Sequence, residues 1–539
     1  MTAASRVSPS HASSTLYNGI VLPTPWPPAL KYPNESVVVA PYLAEPPAVI
    51  PIDVGRQLFV DDFLIERTSL TRTFHLAAYH AASPVLRPEM AWEKRDEHAE
   101  RLNQPQSPTA MAFSDGVFFD PADRLFKMWY MAGYRLHTCL AVSPDGIRWE
   151  RPSYDVYPGT NIVRSNGRDS CTVWLDHFAE DRRSRFKMAY FQDTTLLLHR
   201  SADGIHWEPL GETGTVGDRS TFFYNPFRSV WVFSIRANQL INRGRYRRYW
   251  EHSRFDAARG WSGGTPVAWV KADAHDAPRR ELSTVAELYN LDCAAYESVL
   301  LGLFTIWRGE SSAREKVNEV TLGFSRDGFH WTRADRRSFF PVSDQPGAWN
   351  FANVQSVGGG CLVVGDRLHF YMSARSGIAG TDLPGTCTTG LALLRRDGFA
   401  SMDWLADQPG VRRLLPGVGD HGVLLTRPLR FAGAHLFVNA DLTGGELRAE
   451  ALDVDGHVLP GFDAASCIAA RGDGSRLRLS WQRASLATLA GRPVRFRFHL
   501  TRGRFYAFWV SAYESGESGG YIAAGGPGFR GAADVRSRE

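Results

Sequence analysis

Two neighbouring pairs of opposite charge occur in mirrored order, Arg168-Asp169 and Asp218-Arg219. Each couples a carboxylate to a cation that keeps it ionised near neutrality. That suits a general base, a nucleophile or a group that orients substrate. Glycoside cleavage needs such a carboxylate and also a carboxylic acid that protonates the departing oxygen. Asp292 adds a further carboxylate two residues after Asn290. The acid is expected at Glu319, in Val317-Asn-Glu-Val320, where the surroundings carry less charge, with Glu310 as second choice. The expected catalytic set is therefore Asp169, Asp218, Asp292 and Glu319. Arg168, Arg219, Arg236, Asn290, Trp307, Arg308 and Gln355 are the expected substrate-binding residues. An Arg-Asp pair at a strand start can also be a plain loop salt bridge. Two pairs at equivalent places of consecutive repeats weigh towards function.

Other chemistries find little support. No G-x-S-x-G, P-loop or dinucleotide fingerprint is present. The histidines are scattered, with His206 and His330 just after turns and His137 near the expected pocket. Six cysteines lie far apart without CxxC or zinc spacing, so no metal and no cofactor is expected. Cys171, Cys293 and Cys361 align at one point of successive repeats and read as small residues lining a narrow axis. The chain has 539 residues and a formal charge of only +4, which gives no case for nucleic acid. Its densest basic run, Arg243 to Arg248, reads as a solvated strand or loop. No apolar stretch is long enough to span a membrane. The first twenty residues lack a secretory apolar core, so reduced thiols in a cytoplasmic protein are expected.

These residues must be positioned by an architecture, and internal repetition supplies it. Ser143-Pro-Asp-Gly-Ile-Arg-Trp149, Ser201-Ala-Asp-Gly-Ile-His-Trp207 and Ser325-Arg-Asp-Gly-Phe-His-Trp331 share the pattern S-x-D-G-[IF]-x-W. Their spacing leaves room for one degenerate copy, at Ser253-Arg-Phe-Asp256 with Trp261, and Arg395-Arg-Asp-Gly-Phe399 extends the series. The period is about 63 residues and the count is five. Two apolar strands precede each Asp-Gly turn, a third ends in it, and a short fourth carries the Trp. Four antiparallel strands repeated five times describe a β-propeller. Gly supplies the positive φ of a tight turn, and Ser and Asp satisfy its amides. The Trp is expected between adjacent blades.

The fold class expected is therefore all-β, a five-bladed propeller over about 51–415 followed by a C-terminal β-sandwich over about 420–530. Residues 1–50, rich in Pro and Ser, read as an extended arm or a disordered leader. Leu58-Phe-Val-Asp-Asp-Phe-Leu-Ile65 is expected to begin ordered structure and close the ring, with Asp61-Asp62 in a turn. The Gly-rich tail after about 520 offers few core residues. In a propeller, polar residues just before the innermost strands gather round one central pocket. In order these are Ser114-Asp115, Arg168-Asp169, Asp218-Arg219, Asn290 with Asp292, and Asn353 with Gln355. The ends of the second strands add Tyr134, Asp193, Arg236, Trp307-Arg308, Glu310, Asn318-Glu319 and Arg375. Glu297 falls at the opposite end of its strand and is left out.

Leu58-Phe-Val-Asp-Asp-Phe-Leu-Ile-Glu66, Phe126-Lys-Met-Trp-Tyr130, Arg168-Asp-Ser170, Gly217-Asp-Arg-Ser-Thr-Phe-Phe-Tyr-Asn-Pro226 and Leu394-Arg-Arg-Asp-Gly-Phe-Ala-Ser401 resemble the bacterial proteins described as glycosyl hydrolase family 32-like. The resemblance runs from about 51 to 530. It reaches the wider five-bladed superfamily of glycoside hydrolase families 32 and 43, which implies two Asp and one Glu in a central funnel. The invertase Asn-Asp-Pro-Asn sequence and Glu-Cys dipeptide are absent, and Ser170 stands where invertases have Pro, so fructosidase specificity is not carried over. Asp169 matches the second-blade Asp, whose implied role is transition-state stabilisation; the nucleophile or base is then Asp218 or Asp292. The expected function is a glycoside hydrolase acting on an oligosaccharide or glycoside. Its rivals are a phosphorylase whose arginines hold phosphate and a non-catalytic sugar-binding propeller.

Overall fold

The structure, a computed structural model, describes residues 14–29, 36–238, 244–404 and 421–535. It is an all-β chain built of a five-bladed propeller and a second, nearly closed antiparallel sheet. The expected boundary at 415–420 lies outside the described residues. Among the described residues no helix is long and apolar enough to cross a membrane.

Each repeat folds as an antiparallel sheet whose first strand lies innermost. Blade I runs from Ala110–Met111 and Val117–Asp120 through Leu125–Ala132 and His137–Ser143 to Ile162–Arg164. Blade II is Cys171–Leu175, Phe186–Gln192, Thr195–Ser201 and Glu208–Glu212. Blade III is Thr221–Asn225, Val230–Asn238, Arg245–His252 and Val267–Lys271. Blade IV has Glu287–Glu297, Val299–Ser311 and Arg314–Ser325. Blade V has Asn353–Gln355 with Leu362–Val364, then Arg367–Arg375 and Cys387–Arg395. Its outer strand is Ala78–Tyr79, borrowed from ahead of the first blade and paired to Leu393 and Ala392. The ring is thus closed by residues 78–79 rather than by 58–65.

The Asp-Gly turns work as their composition requires. Ser143 Oγ accepts from Asp145 N and Gly146 N, and Asp145 Oδ1 accepts from Ile147 N and Arg148 N. Ser201 with Asp203 repeats the arrangement. Each turn is also tied to the preceding blade by an aromatic donor. Trp129 Nε1 donates to Gly204 O at 2.9 Å, Trp269 Nε1 to Phe329 O at 2.7 Å, and Tyr371 OH to Gly146 O at 2.6 Å. The last of these joins blade V to blade I. Trp149 packs edge-on to Tyr371 of blade V and Trp331 lies against Trp269 of blade III, so both sit between blades.

The second sheet is a nearly closed antiparallel structure of ten strands. Its long strand His435–Leu452 pairs through its first half with Arg504–Ser511 and through its second half with Arg495–Leu500. The strand turns that corner at Gly444 and Gly445, where a Cβ on Gly445 would meet Arg502 O at 2.2 Å. Ile65–Thr68 and Thr71–Phe74 lie at the two ends of the strand path, separated in the chain only by Ser69 and Leu70. The sheet therefore comes close to closing on itself. The N-terminal segment is no free arm: Leu16, Ile20, Leu22, Tyr42 and Ile50 are buried in the core of this sheet. Asp61 lies in a bend and forms a buried ion pair with Arg326 at 2.8 Å.

The Gly-rich tail is also buried. Tyr521–Ile522 pairs with Tyr296 and Glu297 at the lower end of the blade IV inner strand. Ala523 N then donates to Ala295 O, Ala524 N to Cys361 O and Val363 N to Gly525 O, while Phe119 N donates to Ala524 O. Residues 521–525 thereby cap the lower end of the propeller axis, bonded to the inner strands of blades I, IV and V. Beside this cap, Arg56, Glu297, Arg396, Asp397 and Asp534 form a buried ionic network between propeller and second sheet.

Candidate active site

The opposite end of the axis is the mouth, where the starts of the inner strands converge. Asp169 of blade II faces Arg219 of blade III at 2.9 Å and Arg135 of blade I at 3.2 Å. Burial alone would raise the Asp169 carboxyl, but Arg219, Arg135, Arg168 and Arg375 outweigh it and hold it below the usual range. Asp218 forms an ion pair with Arg236. The side chains of Asp169 and Asp218 are 15% and 32% exposed, so both reach solvent. Arg219 is buried over the Phe113 ring at 4.1 Å. Its backbone lies at φ 61°, and Phe113 and Ser356 share that left-handed region at φ 51° and 60°. Non-glycine residues held there are strained, and such strain concentrates at functional sites.

Sequence reading missed several members of this cluster. Arg243 lies outside the described residues, and the rest of the basic run is not a solvated face: Arg247 is fully buried, donating from Nη1 to Arg219 O at 2.6 Å and also to Tyr289 O. Burial pushes the Arg247 guanidinium down to about 9. Arg245, two residues earlier on the same face of the strand, pairs with Glu287 at 2.6 Å and stands 5.1 Å from the Tyr289 ring and 5.9 Å from Trp307. Alternation along a strand was the signal that could have placed both toward the mouth. Tyr289 is buried, which would raise its phenol, but Arg219, Lys316 and Arg375 together bring it below its ordinary value. Arg375 is 5.7 Å from the Tyr134 ring and bonds Glu315 Oε1 at 2.6 Å. Burial keeps the Glu315 carboxyl raised in spite of Arg375 and Lys316.

Beneath the mouth lies a polar floor. Asn290 Nδ2 is within 3.0 Å of Ser114 Oγ and Ser356 Oγ and 2.8 Å of Asp292 Oδ2. Val357 N donates to the same Asp292 oxygen at 2.9 Å. Burial raises Asp292 to about 6 against these donors and Arg247. Asp292 therefore supports the floor and does not face solvent. Gln355 Oε1 accepts from Asn318 Nδ2 at 3.1 Å. Buried polar atoms without a partner collect here: Asn290 Oδ1, Asn318 Oδ1, Asn353 Oδ1, Gln355 Nε2, Arg375 Nε, and Nε and Nη1 of Arg219. Native proteins satisfy most buried polar groups, so this concentration marks the place where a polar ligand or water completes the bonding.

Three expected site residues are placed elsewhere in role. Glu319 stands apart from the mouth, accepting from Ser338 Oγ at 2.8 Å and Val342 N at 3.2 Å, with Arg308 and Arg279 at 3.4 and 3.5 Å. Its strand projects Asn318 toward the blade V inner strand, and the pleat sends Glu319 the other way. Arg308 belongs to that separate cluster and donates to Ala277 O at 2.5 Å. Arg168 is locked beneath the surface, bonding Asp115 Oδ1 at 2.6 Å and Thr138 Oγ1 at 3.2 Å. Asp193 is exposed on a turn and Glu310 is exposed near the end of the strand Val299–Ser311. Cys171, Cys293 and Cys361 are buried free thiols on the inner strands. Asp169 pairs with Arg219 and Asp218 with Arg236 ahead of consecutive inner strands, Trp307 stands near Arg245, and Asn290, Asp292 and Gln355 are buried on inner strands. Glu297 lies at the far end of its strand, paired with Tyr521.

No protein-family model matches the chain, and no curated protein matches it in sequence. Among solved structures, the fold is similar to that of an N-acetylgalactosamine deacetylase from F. plautii, solved with blood group B trisaccharide. That likeness has 12% identity and a TM-score of 0.40, covering 66% of this chain and 99% of that one. A thermostable family-43 glycoside hydrolase matches at 12% identity and TM-score 0.39, over 54% and 92% of the two chains. A protein from the mannoside phosphorylase family that contains glycoside hydrolases targeting β-1,2-mannosidic linkages in Candida mannan matches at 12% and 0.36, over 63% and 99%.

Proposed function

We propose that the mouth cleaves a terminal glycosidic bond, with Asp169 and Asp218 as its working carboxylates. A fold hosts many functions, so the reading rests on the site. What supports it is a pair of partly exposed carboxylates just ahead of the inner strands of consecutive blades, both acting electrostatically on Arg219, with Asp169 held ionised by Arg219 and Arg135. An ionised Asp169 stabilises the positive charge that develops on the sugar ring, or activates the attacking water. Asp218 is the second carboxyl, and delivering a proton from it requires a substrate that displaces Arg236. Trp307 and Tyr134 offer flat apolar surfaces for a sugar ring. Asn290, Asp292 and Gln355 hold the floor in place.

The test is a screen of aryl glycosides and oligosaccharides, with and without inorganic phosphate, repeated on Asp169→Asn. Phosphate-independent release of sugar, abolished in the variant while binding persists, supports hydrolysis. Turnover that needs phosphate makes the protein a phosphorylase of the same architecture. Binding without turnover of any glycan makes it a carbohydrate-binding propeller.

A further inference from the structure

The cations of the mouth outnumber its carboxylates. Asp169, Asp218, Glu287 and Glu315 are each matched, to Arg219 with Arg135, to Arg236, to Arg245 and to Arg375. Lys316 has no ion pair among the described residues, and Asp169 has two arginines for one charge. Donors are in surplus as well. Arg219 is buried and its Nε donates to nothing, the Nε of buried Arg375 is equally unspent, and Arg219 Nη1 is engaged only by the ion pair with Asp169. Arg219 stands 5.7 Å from the Tyr289 ring, and Arg219, Lys316 and Arg375 all act electrostatically on its hydroxyl.

Buried guanidinium donors left idle cost stability unless an acceptor completes them. An oxyanion does so through charge-assisted bonds, and a planar carboxylate matches the guanidinium fork. Resting on the carbohydrate reading above, we infer that the sugar admitted at the mouth carries its own anionic group, a carboxylate or a sulfate, seated among Arg219, Lys316 and Arg375 over Tyr289. A monoanion fits the small surplus of positive charge beside the ionised Asp169. Inorganic phosphate, a mixture of mono- and dianion at neutral pH, meets stronger repulsion from Asp169 and Asp218 in its dianionic form.

The experiment is a titration of the full chain, followed by tryptophan fluorescence, with glucuronate, galacturonate, galactose 6-sulfate, glucose, galactose and inorganic phosphate. At least one anionic sugar is expected to bind about tenfold or more tighter than its neutral counterpart, with added salt weakening the preference. Lys316→Met, which leaves every ion pair described here intact, is expected to reduce that preference severalfold. Arg375→Gln should do the same where it folds. Neutral sugars binding as tightly as anionic ones, or phosphate binding while no anionic sugar does, overturns the inference and leaves the carbohydrate reading standing. Binding of no sugar at all overturns both.

Discussion

Arg219 and Asp169, carried by consecutive blades, lie 2.9 Å apart, yet neither Arg219 Nη1 nor Asp169 Oδ1 has a hydrogen-bond partner. Their attraction is coulombic and leaves Arg219 Nε uncommitted. The same geometry holds the carboxylate ionised and keeps one face of it reachable, which is the condition a charged catalytic group must meet.

Asp169→Asn keeps the shape of the side chain and removes its charge. Turnover is expected to fall by roughly 100-fold or more while the far-UV circular dichroism spectrum is unchanged. Activity within a few-fold of the parent would remove Asp169 from the mechanism.

Arg219→Gln removes the strongest cation acting on Asp169. The acid limb of the pH–rate profile should move upward, because the carboxyl rises toward its ordinary value near about 3.9. Stability follows the same sign. With a folded value below the unfolded one, the pair stabilises above about pH 4 and loses that contribution as pH falls through the lower folded value. The variant should lose less stability than the parent over that acid interval, as read from thermal midpoints.

Asp292 has the opposite sign. Its value is raised to about 6, so its favourable contribution is complete below about pH 4 and is lost as pH rises through about 6. A shift of about two units corresponds to roughly 3 kcal/mol. Asp292→Asn should flatten the stability slope between about pH 4 and 7, measured by denaturant unfolding at several pH values.

Arg56 joins the two sheets through Asp397 at 2.8 Å and Ser475 O at 2.8 Å, with its guanidinium 4.1 Å over Trp509. Arg56→Met leaves Asp397 and Glu297 buried with less compensation. A loss of about 3–5 kcal/mol is expected in equilibrium unfolding, far from the mouth and without a change in ligand affinity for the folded fraction.

Gly204 and Gly159 share φ +81°, but a Cβ on Gly204 would meet the Trp129 ring at 2.5 Å, whereas one on Gly159 meets nothing within 4 Å. Gly159→Ala should cost about 1 kcal/mol for backbone strain alone. Gly204→Ala should cost about 1–3 kcal/mol more, because it also pushes apart blades I and II. Equal thermal shifts would refute the interblade role of the turn.

The five blades were legible because a turn motif that needs Gly at positive φ and Ser with Asp on its amides cannot drift far in composition. Blade V shows the limit: Arg395 replaces the turn Ser, and Asp397 is instead held by Arg56, Tyr296 and Asn439, partners far away in sequence. The repeat located Asp169, Asp218 and Arg219 in the short bends and turns just ahead of the inner strands Cys171–Leu175 and Thr221–Asn225. It could not place Glu319, whose strand presents Asn318 to the axis side. Nor could it reveal Tyr289 beside Arg219, because that proximity is created by the packing of neighbouring blades. The buried tail escaped notice for a related reason. Its glycines and alanines bring little apolar area, and their burial comes from backbone bonds to three blades.

That tail turns the passage through the ring into a cul-de-sac. With the floor beneath the mouth and residues 521–525 sealing the far end, nothing can thread from one side of the ring to the other. Whatever enters the passage must back out by the way it came.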